Sequence, residues 1–329
     1  MQVQNMSRNQ IFVVGVNGSG TTMLADALGK HPELYMLPRE TRILPYLVQR
    51  YPDSTLCDLS ARRALANALG HSKAFWQCND NHPFLLPDEV LATLSDFASV
   101  VDAMYSHFAR LEGKQRWGDK TPMYLQHIDV LARIFPDARF IHIYRDGRDS
   151  AQSFHRRWRQ APSRTIFRWK KAIALGREQG QRLGSTRYFE LSYEELTADP
   201  ESWMRRICAF AGLDFQPAVL NSSMRYMDDA VRQVAQGRMV QNSSKWRTYF
   251  NADQIEELEQ IAGKTLASLG YTVRVQGDKD LSSVRLLWLK WRDWIYFSIR
   301  HITVSGAKGL IPFFLRVRDA LMQNKANKY

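Results

Sequence analysis

Apolar positions in the first half of the chain fall into short runs, each followed by a glycine-rich or charged turn and then by residues of helical spacing. Ile11-Phe12-Val13-Val14 is an unbroken apolar run of strand length, the pattern of a strand covered on both faces. It predicts a strand over Gln10–Gly15 and, after a glycine turn, a helix from about Ser19 to Gly29. Met23, Leu24, Ala27 and Leu28 form the apolar face of that helix, and Lys30-His31-Pro32 stops it. The pattern repeats from Ile128: a helix, the turn Pro136-Asp137, a strand over Arg139–Tyr144, the charged turn Arg145–Arg148, and another helix. A third strand is expected over Arg187–Leu191, ahead of Ser192-Tyr193-Glu194-Glu195-Leu196 and a helical Ser202–Ala211. Strands alternating with helices predict an α/β fold, a central parallel sheet flanked by helices, with ligands at the carboxyl ends of the strands. Residues 50–115 read as mainly helical and are expected to cover that site.

The turn Gly15-Val16-Asn17-Gly18-Ser19-Gly20-Thr21-Thr22 is P-loop-like. Glycines let backbone approach a phosphate, and the first N–H groups of the following helix point at the anion. In nucleotide hydrolases a lysine follows the second glycine and reaches the outer phosphates; here Thr21 occupies that place. The hydroxyls of Ser19, Thr21 and Thr22 remain, so a 5′-phosphate ligand without a phosphate chain fits better than ATP or GTP. A tight structural βα turn is the competing reading. Arg139–Trp158 repeats the logic, with Arg145 at a strand end and Ser153 and Arg157 four residues apart on one helical face. These three are expected to converge on a phosphate dianion, while Arg148, Arg156 and Arg159 read as a solvated helix start. Two cradles at two strand ends describe a nucleotide phosphorylated at two separated positions.

Together these segments resemble the sulfotransferases that use 3′-phosphoadenosine 5′-phosphosulfate (PAPS), and within them the protein-tyrosine sulfotransferase branch. The shared blocks are Asn17-Gly18-Ser19-Gly20-Thr21-Thr22, His31-Pro32-Glu33, Glu40-Thr41-Arg42-Ile43-Leu44-Pro45, Gly118-Asp119-Lys120-Thr121-Pro122 and Arg145-Asp146-Gly147-Arg148. The resemblance covers roughly residues 10–250 in scattered blocks. It implies the family's P-loop-like sulfotransferase fold, PAPS as donor and adenosine 3′,5′-bisphosphate as product. It gives Gly18, Ser19, Gly20, Thr21 and Thr22 to the 5′-phosphosulfate and Arg145, Ser153 and Arg157 to the 3′-phosphate. Tyr193 would border the nucleotide, Lys245 in Ser244-Lys245-Trp246 would fold over it, and Arg238 would add a phosphate contact. Glu40 matches the family's base and Lys120 its cation at the bridging oxygen, with Asp119 placed to orient Lys120. Simpler readings stay open: Glu40 pairing with Arg39 or Arg42, Lys120 as a surface lysine, Tyr193 as a packing residue. Gly18 stands where the family carries Arg or Lys, so a positive charge beside the leaving oxygen must come from Lys120, the helix start or another arginine; without one, catalysis would be weak.

Composition narrows the rest. The chain has 329 residues, 45% of them apolar, and a net charge of +12. That length and apolar content suffice for a substantial core, and the charge favours anionic partners. Cys57, Cys78 and Cys208 are scattered without metal-ligand spacing and read as free thiols; no metal is expected, and no specific nucleic acid. No apolar run is long enough for a signal segment or a membrane span, so a cytoplasmic protein is expected. Near Gly277 the composition shifts, dividing a sulfotransferase domain over 1–276 from a basic, aromatic helical extension over 277–329. That extension holds ten Lys/Arg and four Asp/Glu, with Trp288, Trp291 and Trp294 at helical spacing. It is expected either to lie, over residues 282–318, on an anionic membrane at its inner surface or to dock its aromatic face on protein. The expected activity is sulfuryl transfer from PAPS to an acceptor hydroxyl on tyrosine, carbohydrate or a lipid-linked molecule. The alternatives are a nucleotide-dependent kinase and a membrane-associated nucleotide-binding protein without catalysis.

Overall fold

The computed structural model describes residues 9–221, 239 and 242–305; Arg238 and residues 306–318 of the expected membrane segment lie outside the described residues. The chain divides into two compact units, one formed by residues 1–146 and 171–243, the other by 147–170 and 244–329.

The first unit is built on five parallel strands, β1 (Ile11–Gly15), β2 (Leu34–Met36), β3 (Arg116–Lys120), β4 (Arg139–Tyr144) and β5 (Tyr188–Ser192), in the order β2-β3-β1-β4-β5. β1 is central and, as its unbroken apolar run requires, buried throughout. Alternate residues serve opposite cores. Phe12 and Val14 join Trp117, Tyr124 and Phe140 under helices Leu59–Gly70 and Phe97–Leu111. Ile11 and Val13 join Ile141, Ile143 and Leu191 under helices Thr21–Leu28 and Pro200–Ala211. From β1 the chain goes to one side for β2 and β3 and to the other for β4 and β5, so the strand order reverses at β1. Ligands of open α/β sheets bind at that reversal, outside the carboxyl ends of the strands.

The three strands expected from apolar runs are present, with β5 one residue later than expected. β2 and β3 were not legible as strands. β2 is three residues long, and β3 reads Arg-Trp-Gly-Asp-Lys, a sequence with no apolar run. Register accounts for β3: Ile11 pairs with Gly118, Phe12 with Asp119 and Val13 with Lys120, so the β1 ladder holds a polar sequence extended.

The second unit contains helix Gly147–Trp158, the start of helix Pro162–Leu183 as far as Lys170, and helices Trp246–Tyr249, Ala252–Ser268 and Ser283–Ser305. Its centre is charged. Arg148 is buried, donates to Glu259 at 2.6 Å and to Thr272 O at 3.0 Å, and stacks 3.8 Å from the centroid of the Trp246 ring. Asp149 accepts the backbone N–H groups of Ser244 at 2.7 Å and Trp246 at 3.1 Å, which ties Ser244-Lys245-Trp246 to the start of helix Gly147–Trp158. Arg148 was expected at a solvated helix start; its burial on Glu259 and Trp246 overturns that. Gly147 has no room for a side chain, since an added Cβ would stand 2.6 Å from the buried Trp169 ring.

Removing one member of a buried ion pair leaves the other charge unpaired and typically costs about 3–5 kcal/mol. Arg148→Met is therefore expected to destabilise the protein by about that amount in urea unfolding. A loss below about 1 kcal/mol would mean that the backbone N–H groups of Arg274 and Val275, which donate to Glu259 Oε2 at 2.7 and 3.0 Å, hold its charge without the guanidinium.

Candidate active site

The glycine turn leaves the central strand and enters helix Thr21–Leu28 with Gly18 at φ 89° and Gly20 at φ 96°. Both lie in the left-handed region that glycine alone adopts cheaply. Space is equally restrictive: a Cβ on Gly20 would stand 2.5 Å from the Tyr193 ring, and one on Gly15 2.4 Å from Ile143 O. Ser19 is buried, and its hydroxyl donates to Ile143 O at 2.8 Å while its N–H donates to Val16 O at 3.0 Å. The hydroxyl fastens the loop to β4 and the N–H fastens it to itself. Thr21 and Thr22 open the helix, Thr22 exposed. The cradle is therefore backbone at close quarters with the first helical N–H groups behind it, which suits a phosphate.

Arg145 follows the end of β4. Its guanidinium donates to Gly18 O at 3.4 Å and to Asn242 O, and lies 4.7 Å from the centroid of the Tyr193 ring. Tyr193 is buried and packs close to both Gly20 and Arg145. A guanidinium thus stands against the loop at Gly18, the position without the family's cation.

Glu40 and Lys120 meet, although 80 positions separate them: Lys120 Nζ donates to Glu40 Oε1 at 2.9 Å. Arg42 donates to Glu40 Oε2 through Nε at 2.8 Å, so the local pairing expected from sequence exists alongside the long-range one. Lys120 is buried at the end of β3, with only 8% of its side chain exposed, which excludes the surface-lysine reading. Burial alone would raise the Glu40 carboxyl, but the Lys120 and Arg42 cations and their hydrogen bonds hold it below its ordinary value.

Behind this pair lies a group of buried polar side chains that the sequence did not disclose. Asp119 Oδ2 accepts from Tyr105 at 2.5 Å and from Thr41 at 2.7 Å. Tyr124 Oη lies 2.8 Å from Thr41 Oγ1 and accepts from Leu44 N at 3.1 Å. Asp119 was expected to orient its neighbour Lys120; its bonds run to Tyr105 and to Thr41, the residue after Glu40. The only sequence signal was the closeness of Thr41 to Glu40 and of Asp119 to Lys120.

Ser153, Arg157 and Lys245 belong to the second unit. Ser153 and Arg157 lie on helix Gly147–Trp158, half-buried and exposed respectively. Lys245 is exposed immediately before helix Trp246–Tyr249. No group of three or more His, Cys, Asp or Glu side chains is placed to hold a metal ion among the described residues.

The chain is 28% identical over 283 residues to protein-tyrosine sulfotransferase 2 of Gallus gallus, covering 79% of this chain and 69% of that protein. It is 25% identical over 288 residues to protein-tyrosine sulfotransferase of Drosophila melanogaster, covering 79% of this chain and 51% of that one. Among solved structures, the sulfotransferase domain of the Synechococcus PCC 7002 olefin synthase superposes with a TM-score of 0.52 at 23% identity, over 83% of this chain and 98% of that domain. That likeness shows the expected sulfotransferase fold. The profile of the sulfotransferase family matches residues 10–217, and with well over half the sequence inside that match, this chain belongs to the sulfotransferase family.

Proposed function

We propose that the chain moves the sulfuryl group of PAPS to a tyrosine hydroxyl, with Glu40 as general base and Lys120 as the cation at the leaving oxygen. The contact that carries this reading is the 2.9 Å pair between Lys120 Nζ and Glu40 Oε1 at the carboxyl end of β3. Sulfuryl transfer, like phosphoryl transfer, asks for a positioned nucleophile and charge stabilisation at the leaving group. Glu40 takes the proton of the acceptor hydroxyl as its oxygen bonds to sulfur. Lys120 stabilises the charge left on the 5′-phosphate oxygen when the S–O bond breaks. The 5′-phosphate fits the backbone cradle from Gly18 to Thr22, whose glycines admit no side chain. Arg145 is assigned the 3′-phosphate. The phosphate and nucleotide contacts that the resemblance gives to Ser153, Arg157 and Lys245 carry over on sequence grounds alone. Tyrosine as acceptor rests on the similarity to proteins named protein-tyrosine sulfotransferases. Family membership favours sulfuryl transfer over the kinase alternative, and Thr21 in place of the phosphate-chain lysine agrees.

A second reading concerns residues 277–329, proposed as an extension that meets an anionic membrane surface. Helix Ser283–Ser305 exposes Val284, Leu287, Trp288, Trp291, Trp294 and Ile295 and buries Leu289 and Asp293. At helical spacing the exposed set forms one apolar arc, with Arg285 and Arg292 on one flank and Lys290 on the other. Tryptophans at headgroup level with flanking cations suit an interfacial helix. Among the described residues no helix is long and apolar enough to cross a membrane.

Four outcomes test these readings. Thermal-shift titration should show adenosine 3′,5′-bisphosphate binding more tightly than AMP or ATP, with Arg145→Ala losing about 10–100-fold of that preference; equal affinity for AMP would remove the 3′-phosphate assignment. Glu40→Gln should bind the bisphosphate normally and lose about 10²–10⁴-fold in turnover of PAPS with a tyrosyl peptide. Because Glu40 titrates below its ordinary value, its carboxylate stays charged until more acid pH, so the acid limb of kcat/KM should fall below the usual glutamate range. The stabilisation from the Lys120 pair follows the same sign, present above the unfolded pKa and lost as pH drops through the lowered folded one. Finally, the full chain should sediment with phosphatidylserine-containing vesicles at low salt, and Trp288→Ser with Trp291→Ser should weaken this about tenfold or more; unchanged sedimentation would refute the membrane reading.

A further inference from the structure

The segment that carries Glu40 is exposed at Arg39 and Arg42 and passes through a left-handed residue, Arg42 at φ 62°. Such a segment has no intrinsic reason to hold one geometry. Next to Glu40 stands Thr41, which is buried and has both its N–H and its hydroxyl hydrogen-bonded. Thr41 N–H donates to Thr121 Oγ1 at 3.2 Å, and Thr41 Oγ1 donates to Asp119 Oδ2 at 2.7 Å and lies 2.8 Å from Tyr124 Oη. Thr121 and Asp119 flank Lys120 in sequence. Thr41 therefore ties the segment of Glu40 to both sequence neighbours of Lys120, to Thr121 through its backbone N–H and to Asp119 through its hydroxyl. Tyr105 closes the cluster beneath Asp119 at 2.5 Å, and Tyr124 continues it to Leu44 N at 3.1 Å, beyond the left-handed residue. Asp119, Thr121, Tyr105 and Tyr124 are all fully buried. A buried polar cluster resists opening, because breaking any one of its bonds strands a desolvated group.

We propose that Thr41, clamped by the buried Asp119–Tyr105–Tyr124 cluster and by Thr121, is the positioning residue that fixes Glu40 against Lys120. Its consequence for turnover rests on the reading of Glu40 as base; the positioning itself does not. Thr41 touches no reacting atom. It holds the separation between base and cation, which Glu40 could not hold alone on an exposed segment.

Amine-directed acylation of the intact protein, followed by peptide mass spectrometry, reads the clamp without an acceptor. Thr41→Val keeps shape and removes the hydroxyl; it should acylate Lys120 about tenfold faster than the parent, the scale of losing one or two buried hydrogen bonds. Thr41→Ser, which restores the hydroxyl, should return to within about twofold of the parent. Lys114 is the internal control, since its ammonium is held by Gly29 O and Leu34 O in the same unit and not by this cluster. An unchanged Lys120 rate in Thr41→Val, or Lys114 accelerating equally, would overturn the proposal.

Turnover of PAPS with a tyrosyl peptide separates this from the base assignment. Thr41→Val should lower kcat about tenfold with KM for PAPS unmoved, and should add no more than about twofold to the loss in Glu40→Gln. A full further tenfold loss in that background would mean the hydroxyl acts elsewhere than through Glu40. Normal turnover in Glu40→Gln itself would end the base reading while the acylation rates still judge the clamp.

Discussion

The parallel register of β1 between β3 and β4 is the constraint on which the site depends. Val13 pairs with Lys120 on one side and Gly15 with Ile143 on the other. Those pairings bring three strand ends together: the glycine turn after Gly15, the ammonium of Lys120, and Arg145 just past Tyr144. A one-residue slip would reverse the face of every side chain in the slipped strand, moving Lys120 away from Glu40 and the Phe12 and Val13 rows out of their separate cores. The packing of Phe12 and Val14 into one core and of Ile11 and Val13 into the other thereby does more than stabilise the fold. It sets the register on which the placement of the polar groups rests.

Around these strand ends, charge is held by neighbours distant in sequence. Lys120 is nearly buried and is matched by Glu40. Asp119 is fully buried, and burial pushes its carboxyl up even though the Thr121, Tyr105 and Thr41 hydroxyls oppose the shift. Arg145 reaches back to Gly18 O. An arginine on the loop itself would have to be built on a residue at φ 89°, a backbone conformation costly for any side chain. In this chain the cation approaches the loop from the neighbouring strand end.

How much of this was legible follows from the physics of each element. β1, β4 and β5 announced themselves because buried strands need apolar runs. β3 carries the cation and the buried aspartate, and its polar sequence hid it as a strand even though Gly118-Asp119-Lys120-Thr121-Pro122 was recognisable as a block. Glu40 and Lys120 came from the resemblance, and local reading alone left both open, whereas Arg145 was marked already by its place at a strand end. The Thr41 clamp was not legible, because its partners lie some 80 positions away and sequence spacing carries no information about such contacts. Ser19 was legible as a hydroxyl of the loop, but its bond to Ile143 O was not, because 124 positions separate the two.

The 2.9 Å contact between Lys120 and Glu40 also bears on how one ammonium could serve two partners in the proposed reaction. A lysine has three N–H donors, and among the described residues one is directed at Glu40. As Glu40 takes up the acceptor proton it loses its negative charge, and in the same step the departing phosphate oxygen gains one. The counter-charge of Lys120 therefore passes from one neighbour to the other while the total charge around the ammonium stays constant. No buried charge is left unpaired at any point, and little reorganisation is required, which is the condition under which a fixed dipole or ion stabilises a transition state best. That exchange works only if base and ammonium keep their separation through the step, which is why the rigidity of the segment bearing Glu40 matters as much as the identity of the residue on it.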